Sequence, residues 1–117
     1  MMLDWTGDRQ QLLARIGDVA RLSPGRMRGH RELGEAGARK DLLGPKTREL
    51  IALAVAATRQ CDGCITTHTE AALKQGATRD EVAEALGVAI AVNAGAALVN
   101  SARVMDAYAA MAPAAAT

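Results

Sequence analysis

Three chemically reactive side chains lie within eight residues of one another, in the segment RQCDGCITTHTE. They are Cys61, Cys64 and His68, which include both cysteines of the chain and one of its two histidines. On a helix that advances about 100° per residue, the three side chains fall within a sector of about 60°. Cys61 and Cys64 can close a disulfide at a helix start, and His68 is near enough to Cys64 to exchange a proton. The pattern indicates reversible dithiol chemistry.

Dithiol chemistry requires a thiolate, because a free thiol has a pKa of about 8.5 and is mostly protonated at neutral pH. The exposed N–H groups of a helix start favour negative charge on Cys61 or Cys64, and His68 can accept the proton. The sequence leaves open which cysteine attacks first, because Cys61 is nearer the helix start whereas Cys64 is nearer the histidine.

A histidine in this role needs a third group that orients its ring and stabilises the imidazolium. Glu49 is the candidate, because it shares the spacing i, i+4, i+7 with Leu53 and Ala56 on an apolar helix. The alternative is an exposed acid near a helix N-terminus, a position that the helix dipole favours. Spacing alone does not separate these two interpretations.

The cysteines have two other interpretations. Buried, unreactive cysteines act as small apolar residues, although a CxxC pair followed by a histidine on the same face makes this interpretation weaker. A closed zinc site takes four ligands, which Cys61, Cys64 and His68 would supply together with His30 or Glu49. Three ligands on one helical face give poor tetrahedral geometry, so we predict no metal site.

The surrounding elements are predicted to be helical throughout, since apolar residues recur at spacings of three and four. The motif from Thr78 to Glu81 fits a capping box, and the apolar run LIALAVAA predicts a third helix that is buried on every side. Gly37 is expected to end the second helix, and residues 93–95 either kink the fifth helix or open a sixth. The predicted helices cover roughly residues 4–21, 24–36, 46–57, 61–76, 78–92 and 93–111.

The length of 117 residues predicts a single domain over residues 1–117, with a frayed tail at 112–117. The chain has no Phe, one Trp and one Tyr, so its core must pack by close approach of small side chains. A chain this small buries only about two-thirds of its unfolded surface. We therefore expect it to hide its remaining apolar faces in a homo-oligomer.

Composition argues against several partners. The net charge of +1 gives no electrostatic basis for binding nucleic acid or an acidic membrane surface. Asp4 and Asp8 lie where a signal peptide would need an apolar stretch. The nearly apolar run at 85–99 is shorter than the ~20 residues that cross a bilayer, and it predicts a buried helix. We expect a cytoplasmic protein without membrane or nucleic-acid partners.

The spacing of Glu49, Cys61, Cys64 and His68, with eleven, two and three residues between them, resembles a known signature. It is that of the alkylhydroperoxidase D (AhpD) group within the carboxymuconolactone decarboxylase family. The segment KTRELIALAVAATRQCDGCITTHTEAALKQGATRDEVAEAL is similar to the family core, and the resemblance covers about residues 42–102. It implies an AhpD-like all-α helical bundle that assembles as a trimer or hexamer.

The resemblance also implies an activity. It implies a thiol-dependent peroxidase or disulfide reductase without a tightly bound cofactor, in which His68 and Glu49 activate Cys64 and in which Cys61 closes the disulfide. Reducing equivalents in such proteins come from a dithiol such as the lipoyl group of a partner protein. The electron acceptor is a peroxide or a peroxiredoxin.

One residue departs from the family pattern. Strong peroxidases of this group carry a histidine directly before the second cysteine, and other members carry an aromatic residue, whereas this chain has Gly63. A proton donor or lid is therefore expected to be missing. The lactone decarboxylase branch lacks the cysteine pair, so Cys61 and Cys64 argue against that activity. A decarboxylase-like acid–base enzyme and a non-catalytic metal- or ligand-binding module are the alternatives.

Overall fold

The computed structural model describes residues 1–114 as five helices, and no strand occurs among these residues. The helices are α1 (Trp5–Leu22), α2 (Pro24–Lys40), α3 (Pro45–Thr58), α4 (Asp62–Lys74) and α5 (Arg79–Met111). The all-helical prediction is confirmed, whereas the predicted count of six helices is wrong. The predicted frayed tail falls in part on residues 115–117, which lie outside the described residues.

The difference in count arises at residues 93–95, where α5 continues without a break. Asn93 Nδ2 donates to the Ala89 carbonyl at 2.7 Å and to Thr58 Oγ1 on α3 at 2.8 Å. The Asn93 side chain is thus satisfied within the helix and does not draw the backbone into a turn. Gly95 adds a propensity cost of only about 1 kcal/mol, which is too little to end a long helix.

The predicted capping residues agree with the structure at the start of α5 but not at the end of α2. At the start of α5, Thr78 Oγ1 accepts from the Glu81 N–H at 3.1 Å and Glu81 Oε1 accepts from the Thr78 N–H at 3.0 Å, which completes the predicted capping box. In contrast, α2 continues past Gly37 to Lys40, and its C-cap residue Asp41 has a left-handed φ of 50°. A Cβ at Gly37 would lie 3.2 Å from Arg48 Cδ, so this glycine permits close packing instead of ending the helix.

Helix α3 is the centre of the fold, because it packs against both α4 and α5 while α1 packs against α2 and α4. The buried side chains are Leu53 and Ala56 on α3 and Ala72 on α4. The prediction that α3 is buried on every side is wrong for the single chain, since Ile51 and Val55 are 48% and 55% exposed. Both line an open apolar groove between α3 and α5.

The chain is extended for its length. Its radius of gyration is 19.8 Å, whereas a compact domain of this length would have about 13 Å. Its accessible surface is 9251 Å², whereas about 6,100 Å² is expected for a folded monomer of this mass. Every residue from 96 to 111 in the distal half of α5 is exposed. The prediction that the run at 85–99 forms a buried helix is therefore wrong for the single chain.

Helix α5 is long and apolar enough to cross a membrane, with an 18-residue window of mean hydropathy 1.9 that is not buried in the single chain. Only length and composition support that interpretation. A helix that packs against other subunits on all sides has the same composition. The single chain therefore leaves an apolar helical surface uncovered along α5.

Candidate active site: a disulfide beside a histidine–glutamate pair

The short link between α3 and α4 sets the position of the two sulfurs. Gln60 adopts a left-handed φ of 54°, and the Cys61 N–H donates to the Ala56 carbonyl at 3.1 Å. The chain therefore turns sharply and begins α4 with Cys61 as the N-cap residue. Cys61 and Cys64 are bonded to each other as a disulfide, with their Cα atoms 5.2 Å apart.

The two sulfurs have different environments. Cys61 Sγ accepts a hydrogen bond from the Cys64 backbone N–H at 3.1 Å, as a capping side chain does at a helix N-terminus. Cys64 Sγ accepts no hydrogen bond from residues 1–114. Backbone N–H groups at a helix start stabilise negative charge. The fold therefore offers direct stabilisation to a thiolate on Cys61.

His68 lies one helical turn beyond Cys64 and contacts α3. Its Nδ1 lies 2.7 Å from Oε2 of Glu49. Because a carboxylate accepts hydrogen bonds, Nδ1 carries the proton and donates it, which leaves Nε2 unprotonated in the neutral ring. The side chains of His68 and Glu49 are 36% and 24% exposed, so water reaches the pair. Glu49 faces the histidine instead of projecting freely into solvent.

The structure thus brings the four predicted site residues, Glu49, Cys61, Cys64 and His68, to one place. Cys61 caps the N-terminus of α4, Cys64 and His68 lie in its first two turns, and Glu49 reaches across from α3. The arrangement supplies a reducible disulfide, a ring nitrogen that can take or give a proton, and a carboxylate that fixes the ring tautomer.

The opposite face of the α4 start packs against α1, a contact that the sequence did not predict. A Cβ at Gly63 would overlap Cδ2 of Leu12, so a side chain at this position would meet α1. The structure thus gives Gly63 a packing role. No spacing relates Leu12 to Gly63 along the chain, so nothing in the sequence signals this contact.

The N-terminal segment is attached to the back of α4 by apolar contact and by one ion pair. Nη1 of Arg9 on α1 lies 3.2 Å from Oε2 of Glu70 on α4. A hydrogen bond from Lys74, and then the charge of Arg9, lowers the pKa of Glu70. A cavity of about 300 Å³ lies beside this contact, and its lining includes Leu3, Trp5, Leu12, Asp62 and Thr66.

A second ion pair holds the start of α3 against α5. Lys46 Nζ lies 2.8 Å from Glu81 Oε2, the carboxylate that also caps α5. The hydrogen bond from Lys46, followed by that from the Thr78 backbone N–H, lowers the pKa of Glu81 to about 2. Since Lys46 is three residues before Glu49, this pair fixes the end of the helix that carries the site carboxylate.

The geometry gives no support to a zinc site. Within the described range 1–114, no group of three or more His, Cys, Asp or Glu side chains could hold a metal ion. His30, a candidate fourth ligand, is exposed on α2. Cys61 and Cys64, two further candidates, are bonded to each other.

Comparison with known proteins finds similarity over most of the chain. A model of the carboxymuconolactone decarboxylase family matches residues 24–107, which include the four site residues and leave α1 outside. A protein of Haemophilus influenzae without an assigned function is 44% identical over 108 residues, which make up 92% of this chain and 96% of that protein. A protein of Cupriavidus necator, also without an assigned function, is 32% identical over 80 residues, or 68% of this chain and 71% of its own length.

The fold is similar to that of a solved structure. A carboxymuconolactone decarboxylase family protein from Legionella pneumophila, crystallised in its apo form, matches with a TM-score of 0.72 and 30% sequence identity. The match covers 93% of this chain and 97% of that chain. The two proteins therefore share their helical arrangement over nearly their whole lengths.

Proposed function

The chain belongs to the carboxymuconolactone decarboxylase family, and on that basis we propose that it is a thiol-dependent hydroperoxidase of the AhpD-like group. The observation that carries the proposal is a reducible disulfide one helical turn from a histidine that is hydrogen-bonded to a glutamate. Acid–base chemistry on a lactone would need the histidine and the glutamate alone. The two sulfurs add a route for two electrons.

In the reduced enzyme the reaction begins with ionisation of Cys64. His68 takes the thiol proton on Nε2, and Glu49 stabilises the imidazolium that forms. The Cys64 thiolate attacks one oxygen of the hydroperoxide, the O–O bond breaks, and the departing alkoxide takes the proton from His68 to become an alcohol. Cys64 is left as a sulfenic acid.

Cys61 completes the oxidation. Its thiolate attacks the sulfenic sulfur of Cys64, the S–O bond breaks, and the oxygen leaves as water after taking a proton. The product is the Cys61–Cys64 disulfide. An external dithiol then reduces this bond and is itself oxidised to a disulfide. The net reaction converts one hydroperoxide and one dithiol into an alcohol, water and a disulfide.

The proposed electron donor is a lipoylated protein, because a lipoyl group carries both thiols that the exchange consumes. The proposed acceptor is a peroxide or an oxidised peroxiredoxin. No tightly bound cofactor is required, since the electrons pass through the two cysteine sulfurs. The cytoplasm is the proposed location, because its thiol pools return disulfides of this kind to the reduced form.

We further propose that the working form is a homo-oligomer, a trimer or a hexamer. The accessible surface of 9251 Å² exceeds the value expected for a folded monomer by about 3,100 Å² per chain. Obligate interfaces bury areas of this order. The exposed surface is apolar in the α3–α5 groove, at Val88 and Val92, and along distal α5, at Leu98 and Met105.

The proposal is tested by following the consumption of an alkyl hydroperoxide with dihydrolipoamide as reductant. Cys64→Ser should abolish turnover, because it removes the thiol beside His68 and leaves Cys61 without a partner with which to close the disulfide. Thr67→Ser, on an exposed position of the same helix, serves as the matched control and should keep the wild-type rate. Wild-type turnover by Cys64→Ser would refute the proposal, and an acid–base activity that persists without both cysteines would replace it.

A further inference from the structure

We propose that the disulfide is reduced with a fixed polarity: the donor thiol attacks Cys64, and Cys61 is the sulfur that leaves as a thiolate. The inference rests on the proposed function, and it assigns separate roles to the two sulfurs in the reductive half of the cycle. Two independent features of the site carry it, one on each side of the bond that breaks.

The first feature is the stabilisation of the leaving group. In thiol–disulfide exchange the sulfur with the more stable thiolate leaves faster. Cys61 Sγ accepts the Cys64 backbone N–H at 3.1 Å at the start of a helix of 13 residues. Negative charge that arrives on this sulfur meets a donor already in place, together with the positive end of the helix dipole. Cys64 Sγ has no such donor among the described residues.

The second feature is the position of the base. A thiolate attacks in line with the S–S bond, so it approaches Cys64 from the side away from Cys61. Along α4 the order is Cys61, Cys64 and His68, with a rise of about 4.5 Å and then about 6 Å between consecutive Cα positions. The three residues share one face, so an attacker at Cys64 arrives beside His68. Its Nε2 is the unprotonated ring nitrogen, because Nδ1 donates to Glu49.

Attack at Cys61 would lack both features. The attacker would approach from beyond the N-terminus of α4, on the side of Cys61 away from His68. Cys64 would then have to leave without a backbone donor. Other titratable groups lie on the surrounding elements, and several of them are paired away from the disulfide: Arg9 on α1 and Lys74 with Glu70 on the back of α4, Lys46 with Glu81, and Arg48 with Asp41. Arg59 and Asp62 flank Cys61 in the chain, and both are exposed.

The resulting steps balance. His68 takes the proton of the first donor thiol, the donor sulfur bonds to Cys64, and the S–S bond breaks with its electron pair on Cys61. The second donor thiol attacks the first donor sulfur and closes the donor disulfide. Cys64 leaves with the electron pair and takes the proton back from His68. The proton of the second donor thiol passes through water to Cys61.

The test uses the full-length oxidised protein and a monothiol, such as 2-mercaptoethanol, without any peroxide. A maleimide added at once alkylates whichever cysteine is released, while the other keeps the monothiol as a mixed disulfide. Both sulfurs lie in one tryptic peptide, residues 60–74, whose fragment ions separate Cys61 from Cys64. We expect the maleimide on Cys61 and the monothiol on Cys64, in at least tenfold excess over the reverse pattern. The reverse pattern, or an equal mixture, would overturn the proposal.

A second measurement separates the base from a merely structural role. His68→Gln should slow the attack of the monothiol by about tenfold or more at pH 7, where the donor is protonated. The deficit should disappear above the pKa of the donor thiol, because the attacker is then already a thiolate. A deficit that is the same at every pH would contradict the role of His68. Because no peroxide is present, these outcomes are independent of whether the protein proves to be a peroxidase.

A third measurement compares the thiols one at a time. The rate of alkylation of Cys61 in Cys64→Ser, followed against pH, should show ionisation at lower pH than that of Cys64 in Cys61→Ser. Cys64→Ser keeps the backbone N–H of residue 64, so the capping donor to Cys61 is retained in that variant. Earlier ionisation of Cys64 would count against Cys61 as the leaving group.

Discussion

Replacement of Gly63 by alanine tests the contact between α1 and the back of the active-site helix. The new Cβ would overlap Cδ2 of Leu12, so the leucine must rotate out of its present position. Overpacking of this kind costs about 1–3 kcal/mol. Leu12 is 37% exposed and can move, which places the cost near the lower limit. Glycine-to-alanine exchange in a helix returns up to about 1 kcal/mol. We therefore expect Gly63→Ala to lower the free energy of unfolding by up to about 1 kcal/mol.

The sign of the effect should reverse when the leucine is removed first. In a Leu12→Ala background the added methyl group meets open space, so Gly63→Ala keeps only its gain in helix propensity. It should then raise the free energy of unfolding by up to about 1 kcal/mol relative to Leu12→Ala alone. The propensity gain cancels in the double-mutant cycle, which should thus give a coupling energy equal to the overpacking cost, about 1 kcal/mol.

The assay is urea denaturation followed by the fluorescence of Trp5, the only tryptophan of the chain, which lines the cavity beside Gly63. All variants are compared at one protein concentration, because the stability of an oligomer depends on concentration. Gly29→Ala is the control, since nothing lies within 4 Å of a Cβ at that position on α2, and it should stabilise the protein. Additive effects of Gly63→Ala and Leu12→Ala would refute the packing argument.

Three further predictions address the relay, the charged helix start and the assembly. Glu49→Gln should slow hydroperoxide turnover, measured as peroxide consumption, by about 10²-fold, because the charge that stabilises the imidazolium is lost. The control Glu70→Gln, on the back of α4, should stay within about twofold of the wild-type rate. Glu81 has a folded-state pKa of about 2, below its usual 4.5. Its ion pair with Lys46 therefore contributes stability that is fully present above about pH 4.5 and is lost as the pH falls towards 2. In Glu81→Gln the thermal midpoint should depend less steeply on pH over this range. Sedimentation at micromolar concentration should give a trimer or hexamer, and Val104→Lys on distal α5 should dissociate it, whereas a stable wild-type monomer would contradict the surface argument.

The amino-acid sequence alone determined the features that depend on the geometry of a single helix. The common face of Cys61, Cys64 and His68 follows from the fixed rotation per residue and holds wherever the helix lies. The capping box at Thr78 is local for the same reason, because all of its partners lie within four residues. The all-helical class follows from periodicity that recurs along the whole chain.

Tertiary structure decided the features that join separate elements. The distance between His68 and Glu49 depends on the turn at Gln60 and on the packing of α3 against α4. The spacing of nineteen residues between them in the sequence predicts neither the turn nor the packing. The exposure of α3 and of distal α5 likewise depends on which other helices pack against them. Their apolar composition predicted burial, but within residues 1–114 of the single chain no other helix covers these surfaces.

The contact of Leu12 with Gly63 is a further feature that only the tertiary structure decided. Fifty-one positions separate the two residues, and no periodicity connects them. A helix fixes the direction of each side chain relative to its own axis, whereas the approach of two helices is fixed by the volumes that meet between them. The sequence therefore specified which groups share a face, and only the packed chain specified which faces meet.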